Sequence, residues 1–242
     1  MKYISTEKIE SILTKVNNGE KIKRSWRFCH QGNFNIINTK LPYLYTKDEL
    51  IEYAKCYNSP IYFIEKYCKI FNPNLGKENI KLREYQKNWI DSLLNYRYNS
   101  LYEVRQSGFD TIMLLFSLWL ITFRDEKILY NTYYKTNIID RLKITYVCLP
   151  HFLKANIKFI SKNKIETQSG GKILIKPIIK KEDLFDIDQC IVSSVKGFGK
   201  IDKILFDIFP HISEKPTTKL VILSNMNFKE NSVFNILQKP TI

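Results

Sequence analysis

The sequence predicts an α/β fold in which a mostly parallel β-sheet is flanked by helices. Short apolar runs alternate with longer segments of helical periodicity, a pattern typical of strands joined by crossover helices. A chain of 242 residues that is 44% hydrophobic and 14% aromatic has enough apolar material for a globular core. We expect residues 1–80 to form an N-terminal helical and irregular extension and residues 81–242 to form the α/β domain.

The N-terminal extension is predicted to be largely helical. Residues 1–24 carry apolar side chains at roughly helical spacing. Thr46 and Glu49 have the spacing of a capping box, and we expect helical structure from there to about Phe71. Pro60 interrupts that region and begins its second helix, because proline is accommodated in the first helical turn.

Strands and helices then alternate to the end of the chain. Strands are assigned from short apolar or alternating runs and helices from 3.6-residue periodicity. The predicted elements are a helix from Leu82 to about Asn95, a strand at Leu101–Val104, a helix from Thr111 to Phe123, a strand at Lys127–Thr132, a helix from Asn137 to Cys148, a hairpin from Lys164 to Lys180, a strand at Cys190–Ser194, a helix from Ile201 to Phe209 and a strand at Lys219–Ser224.

The chain is strongly basic. Its 38 lysines and arginines exceed its 24 acidic residues, which gives a formal net charge of +14. Such an excess favours a polyanionic partner, most simply DNA. A composition rich in asparagine, lysine and isoleucine also arises in AT-rich genomes, and in that case the charge is merely solvated.

Cysteine usage and hydropathy narrow the class of protein further. The five cysteines are widely spaced and accompany only three histidines, so neither a disulfide scaffold nor a zinc site is predicted. The longest apolar run, Ile112–Phe123, falls short of the roughly 20 residues that span a bilayer and reads as a buried helix. We expect a cytoplasmic protein without a membrane partner.

Residues 101–111, Leu-Tyr-Glu-Val-Arg-Gln-Ser-Gly-Phe-Asp-Thr, have the strand–loop–helix context of a phosphate-binding loop. A working loop ends Gly-Lys-Ser/Thr, with the lysine on the β/γ-phosphates and the hydroxyl on Mg²⁺. Here Gly108 is followed by Phe109 and Asp110. A unit-charge contact at roughly 4 Å is worth of order 4 kcal/mol at an effective dielectric of about 20. Losing the lysine and gaining a carboxylate therefore turns a local attraction for polyphosphate into repulsion.

A glutamine lies upstream of this loop. In Leu82-Arg-Glu-Tyr-Gln86 the Gln86 amide carries both a donor and an acceptor, which can pair with the edge of an adenine base. Glutamine in this position is how many helicase-like ATPases read adenine. A surface helix carries the same residue types without any such role.

Taken in order, these segments resemble the ATPase half of the large terminase subunit of tailed bacteriophages, the motor that packages DNA into procapsids. The resemblance extends from about Arg27 to Leu237 and implies a P-loop NTPase-like (ASCE-type) fold. The stretches that carry it are residues 53–70, Leu82–Gln86, Arg105–Gly108, Leu149–Leu153 with the hairpin that follows, and Phe209–Ser213 with Lys219–Ser224.

The departures from that family concern its chemistry. Its second acidic motif ends a strand in Asp-Glu, whereas Ser194 and Val195 stand here. Its coupling motif, Ser/Thr-Thr-Pro-Asn-Gly, is reduced to a remnant at Ser224, Asn225 and Asn227. The degenerate nucleotide site implied by the resemblance comprises Gln86, Arg105, Gln106, Ser107, Gly108, Phe109, Asp110, Thr111, Ser194 and Val195.

Neither catalytic residues nor metal ligands are expected, and the family's nuclease domain is expected to be absent. The acidic stretch Glu182–Asp188 contains three aspartates but resembles a solvated loop more than a metal site. No cofactor is therefore expected, with ATP and Mg²⁺ entering only if nucleotide binding survives.

The function predicted from the sequence is that of a phage or viral terminase-like subunit without catalytic activity. It would serve as a scaffold for DNA or for a packaging, viral or host protein, in the host cytoplasm or associated with the virion. The alternative is a residual ATP-binding or ATPase subunit whose active neighbours supply the missing groups. A third reading is an interaction module that shares only the fold, with basic and aromatic residues at Lys21–Phe28 and Tyr96–Tyr98 as its first candidate surfaces.

Overall fold

A seven-stranded sheet is the centre of the structure, a computed structural model that describes residues 28–29, 37–38, 46–72, 76–103, 107–132, 138–155, 157–194 and 198–225. The α-helices are α1 (Lys47–Asn58), α2 (Pro60–Tyr67), α3 (Glu84–Asn95), α4 (Phe109–Phe123), α5 (Ile138–Cys148) and α6 (Phe198–Glu214), with 3₁₀ turns at His151–Leu153 and Lys181–Leu184. The strands are β1 (Phe28–Cys29), β2 (Ile37–Asn38), β3 (Lys69–Asn72), β4 (Gly76–Asn79), β5 (Tyr98–Glu103), β6 (Lys127–Thr132), β7 (Ile157–Ile160), β8 (Lys164–Thr167), β9 (Lys172–Lys176), β10 (Gln189–Ser194) and β11 (Lys219–Asn225).

The strand order of the large sheet is β5-β11-β10-β6-β9-β8-β7. The five strands from β5 to β9 in that order are parallel to one another, and β8 and β7 continue the sheet antiparallel. The expected α/β fold with a mostly parallel sheet is therefore confirmed. The described part of the chain also contains the small antiparallel pairs β1–β2 and β3–β4.

Two short helices precede the sheet, as the sequence predicts. Thr46 and Glu49 form a complete capping box at the start of α1, and Ser59 caps α2 with Pro60 in its first turn. The expectation that helix continues to about Phe71 is wrong. Cys68 is extended, and Lys69–Asn72 pairs as β3 with β4, while the Lys69 carbonyl accepts a hydrogen bond from Thr145 Oγ1 at 3.0 Å. Tertiary pairing with later residues overrides the local periodicity here.

Helix α4 is buried along nearly its whole length between the sheet and the two N-terminal helices. Trp119 Nε1 donates a hydrogen bond to the Cys56 carbonyl at 2.7 Å, and the Phe63 and Phe123 rings meet edge to face at 5.3 Å. Residues 47–67 therefore share one core with α4 and the sheet. The division of the chain at residue 80 remains a prediction. Among the described helices, none has the length and apolarity to cross a membrane.

The opposite face of the sheet is covered by α6, which buries Ile208 and Ile212 against β10 and β11. The sequence predicted that this helix would end at Phe209, but it continues past Pro210 to Glu214. The last turn is retained because Ile212 is buried there and Ser213 Oγ donates to the Pro210 carbonyl at 2.7 Å. These contacts offset the backbone hydrogen bond that proline removes.

Candidate functional site at the loop before α4

The carboxyl ends of the parallel strands bring the predicted motif positions to one edge of the sheet. Ser194, the last residue of β10, is opposite Ser224 of β11, which in turn is opposite Tyr102 of β5. The loop that leads into α4 follows β5 at this same edge. Such edges are where ligands bind in open α/β sheets. Arg105, Gln106, Val195 and Asn227 lie outside the described residues, and only the backbone of Ser194, Ser224 and Asn225 is described.

Gly108 sets the start of α4. Its φ of 75° is left-handed, a conformation that costs glycine little and other residues more. A Cβ at this position would stand 3.0 Å from Gln86 Nε2. Both the backbone angle and the close approach of the glutamine therefore require glycine, and they connect the loop to α3.

Both ends of the Gln86 amide are bound within the protein. Oε1 accepts a hydrogen bond from the Arg83 backbone N–H at 3.0 Å, and Nε2 donates to the Ser107 carbonyl at 2.9 Å. The Tyr85 hydroxyl donates to the same carbonyl at 3.0 Å. The residue expected to read a base edge therefore caps α3 and fastens the loop to it.

Phe109 is fully buried at the first turn of α4. Its ring meets Trp89 edge to face with centroids 4.7 Å apart, and Trp89 meets Tyr85 in the same way at 4.9 Å. Aromatic pairs in this geometry are attractive beyond the area that they bury. The side chain in the lysine position therefore belongs to an aromatic contact with α3.

The next two residues have different surroundings. Asp110 is exposed in the first turn of α4, where a carboxylate interacts favourably with the helix dipole. Thr111 Oγ1 accepts a hydrogen bond from Arg141 Nη2 of α5 at 2.6 Å. Arg141 thus brings a guanidinium group beside the loop.

Three residues of this site were not singled out by sequence reasoning as part of the nucleotide site. Tyr85 and Trp89 lie one helical turn apart on α3, and Trp89 is three residues from Gln86, so these two spacings would have indicated neighbouring side chains. Arg141 belongs to a different helix, and no local pattern connects it with Thr111. Its position depends on how α5 packs against α4.

The three aspartates of the acidic stretch before β10 bind lysine side chains and backbone N–H groups. Asp183 forms an ion pair with Lys176 and accepts from the Lys180 backbone N–H. Asp186 pairs with the Lys127 ammonium at 2.5 Å, and Asp188 accepts from the Lys127 backbone N–H at 2.9 Å. The three carboxylates therefore bind different groups and do not converge on a common centre.

Comparison with known proteins bears on the fold. No protein family model matches the chain. The crystal structure of the HK97 bacteriophage large terminase matches with a TM-score of 0.51, at 16% sequence identity, over 69% of this chain and 37% of that chain. The fold is terminase-like. The match spans little more than a third of the HK97 chain. The structural similarity shows a terminase-like fold, and a sequence identity this low does not assign an activity.

Proposed function

We propose that this protein is a phage or viral subunit that keeps a terminase-like fold of the P-loop NTPase (ASCE) type without ATPase chemistry. The observation that carries the proposal is the set of internal contacts that Gln86 and Phe109 make beside Gly108. The Gln86 amide accepts a hydrogen bond from Arg83 and donates one to Ser107, and Phe109 is packed against Trp89. The residues present do not fit Mg-ATP, because the cation for the β/γ-phosphates is replaced by a buried ring and Asp110 adds a negative charge.

The remaining role is that of a scaffold. The net charge of +14 favours DNA as the bound partner, and a packaging, viral or host protein is the other candidate occupant of the surface. We place the protein in the cytoplasm of the infected host cell, where DNA packaging takes place.

A phosphate-release assay tests the absence of catalysis. Purified protein is incubated with ATP and Mg²⁺, with and without double-stranded DNA. We expect release at the rate of a protein-free control under both conditions. Turnover that rises with protein concentration and requires Mg²⁺ would overturn the proposal.

A residual ATP-binding subunit is the second candidate function. Two observations favour it: Gly108 still presents the N-terminus of α4, and Arg141 stands beside Thr111 and could supply a cation from α5. Helix N-termini attract anions, and subunits of an assembly can complete one another's sites. Magnesium-dependent ATP binding that is lost in Arg141→Met would favour this candidate over the inactive scaffold.

A further inference from the structure

Strands β7, β8 and β9 concentrate positive charge at one end of the large sheet. From Ile157 to Lys176 the chain contains five lysines and a single acidic residue, Glu166, which gives a net charge of +4. Strand β7 is the outermost strand, and within the described part of the chain it pairs with β8 alone. This end of the sheet is therefore accessible and attracts polyanions.

The strand register places an aromatic ring and several of these charges on one face. Phe159 lies opposite Glu166, and Glu166 lies opposite Lys172. Lys172 is in turn aligned with Lys127 of β6. Opposed residues of neighbouring strands share a face of the sheet. Because strands lie roughly 4.8 Å apart, the row from Phe159 to Lys127 extends about 14 Å across the sheet.

This face is the one that α6 covers elsewhere in the sheet. Leu129 lies two residues beyond Lys127 on β6, and it is buried in the cluster to which α6 contributes Ile208 and Ile212. Alternate residues of a strand share a face. At the other end of the row Phe159 is 48% exposed. We call this end of the face the β7–β9 surface and define it by Lys158, Phe159, Lys164, Glu166 and Lys172.

The lysines of the β7–β9 surface are in excess over its acidic groups. Lys158 and Lys164 share the Glu166 carboxylate, at 2.9 and 2.5 Å, and their side chains remain 60% and 30% exposed. Exposed ion pairs contribute little stability, so these ammonium groups can exchange the carboxylate for a phosphate. Lys172, and Lys162 in the turn between β7 and β8, form no ion pair within the described residues.

An exposed ring among lysines is the arrangement by which proteins bind single strands. Bases stack on aromatic side chains while neighbouring cations contact the phosphates. The Lys164 ammonium lies 5.3 Å from the centre of the Phe159 ring, and its flexible stem lets it turn from the ring to a phosphate. The bases of a duplex are stacked inside the helix. The ring therefore favours a single strand over a duplex.

We propose that the β7–β9 surface binds single-stranded DNA without sequence preference. One base stacks on Phe159, and the adjoining phosphates contact Lys158, Lys164 and Lys172. This inference rests on the proposed function in taking DNA as the partner of the scaffold. It requires neither ATP nor the loop before α4.

A comparison of two strands tests whether bases contribute. The probes are a labelled thymidine oligonucleotide of about 12 residues and an abasic strand of the same length, which has the same phosphates and no bases. Fluorescence anisotropy at about 50 mM salt measures their binding to the full chain. We expect the thymidine strand to bind about tenfold more tightly, the effect of stacking one base. Equal affinity for the two strands would overturn the proposal.

Substitution of Phe159 locates the stacked base. Phe159→Leu removes the ring and keeps an apolar side chain, so we expect about tenfold weaker binding of the thymidine strand and unchanged binding of the abasic strand. Phe159→Trp keeps a ring and should bind the thymidine strand at least as tightly as the wild type. The matched control is Phe206→Leu, because Phe206 is 75% exposed on α6. Wild-type affinity of Phe159→Leu for the thymidine strand would contradict the assignment.

The salt dependence tests the phosphate contacts separately. Each phosphate contact to a single strand contributes about 0.7 to the slope of log K against log salt. The double variant Lys158→Gln/Lys164→Gln should therefore lower this slope by about 1.4, whereas Phe159→Leu should not change it. Lys47→Gln/Lys81→Gln, which removes two exposed lysines outside the surface, is the control. Equal slopes for the two double variants would place the phosphates elsewhere and refute the proposal.

Two further probes separate this proposal from the scaffold function. If a duplex of equal length binds but neither the abasic strand nor Phe159→Leu shows any dependence on bases, the β7–β9 assignment fails and the DNA scaffold stands. A uridine strand that binds more tightly than the thymidine strand would assign the surface to RNA and also refute the proposal. Thermal unfolding monitors the variants, and the two-strand comparison on the wild type is decisive even if a variant does not fold.

Discussion

At the scale of single residues, Gln86 shows how a side chain expected to bind a ligand is used for structure. It fastens the start of α3 to the loop before α4 through two hydrogen bonds. We predict that Gln86→Ala lowers the free energy of unfolding by about 1–3 kcal/mol, because two part-buried hydrogen bonds are lost. Denaturant unfolding measures the change, with the exposed Asn88→Ala on the same helix as control. Equal stability of the two variants would contradict the role assigned to Gln86.

Glu52 is a second residue whose hydrogen bonds affect stability, and its contribution depends on pH. Burial raises the pKa of its carboxyl, but hydrogen bonds from Lys55, Lys66, Tyr67 and Tyr62 outweigh burial and hold it well below its usual range. A carboxyl whose folded pKa is depressed contributes stability above its unfolded pKa of about 4.3, and this contribution is lost as the pH falls toward the folded value.

We therefore predict that the wild type is more stable than Glu52→Gln at pH 7 and that the difference narrows between about pH 5 and pH 3. Thermal unfolding across that range measures it. Glu182 is exposed, so Glu182→Gln is the matched control. Its stability difference from the wild type should not change over the same pH range. A stability difference that stays constant with pH would contradict the proposed role of the Glu52 carboxylate.

At the scale of elements, Arg97 connects the start of β5 to the turn between α6 and β11. Its guanidinium donates to the carbonyls of Ile212 at 2.7 Å, Lys215 at 3.0 Å and Thr218 at 3.2 Å. The basic and aromatic stretch Tyr96–Tyr98 was a candidate interaction surface from the sequence. In the structure its arginine is a bridge between two elements that are distant in the sequence.

We predict that Arg97→Met lowers the free energy of unfolding by about 2–4 kcal/mol, because several carbonyls lose a charged donor together. Urea unfolding is the measurement, and the exposed Lys81→Met controls for the loss of one positive charge. If Arg97→Met unfolds at the same urea concentration as Lys81→Met, the connection is not stabilising.

The sequence predicted the helices and strands that have a local pattern of apolar residues. It missed the strands that form only by pairing with distant parts of the chain. The apolar run of α4 predicts a buried helix, and the alternating residues of β8 and β9 predict a hairpin, from the local sequence alone. Strand β7 and the pair β3–β4 could not be predicted in this way, because their pairing depends on residues elsewhere in the chain. Likewise the loop motif at Gly108 could be found from its order of residues, whereas the contact of Arg141 with Thr111 required the packing of two helices.

At the scale of the whole molecule, the excess of positive charge indicates how DNA binding should depend on salt. If DNA is the partner, binding comes largely from phosphate contacts that release counterions. We predict an affinity for double-stranded DNA that falls about tenfold or more between 50 and 200 mM salt, measured by fluorescence anisotropy.

An uncharged dextran of similar size is the control for non-specific association. Binding that does not change with salt would contradict the electrostatic basis. Absence of DNA binding at low salt would remove DNA as the partner and leave the protein-binding form of the scaffold.

We propose that internal contacts of Gln86 and Phe109 close the nucleotide site of a terminase-like fold. Calorimetric titration of the purified wild-type chain with Mg-ATP tests it most directly. Because Phe109 is buried where a cation would contact the phosphates, we expect no saturable heat of binding at millimolar nucleotide. Saturable binding that disappears when Mg²⁺ is chelated would contradict it.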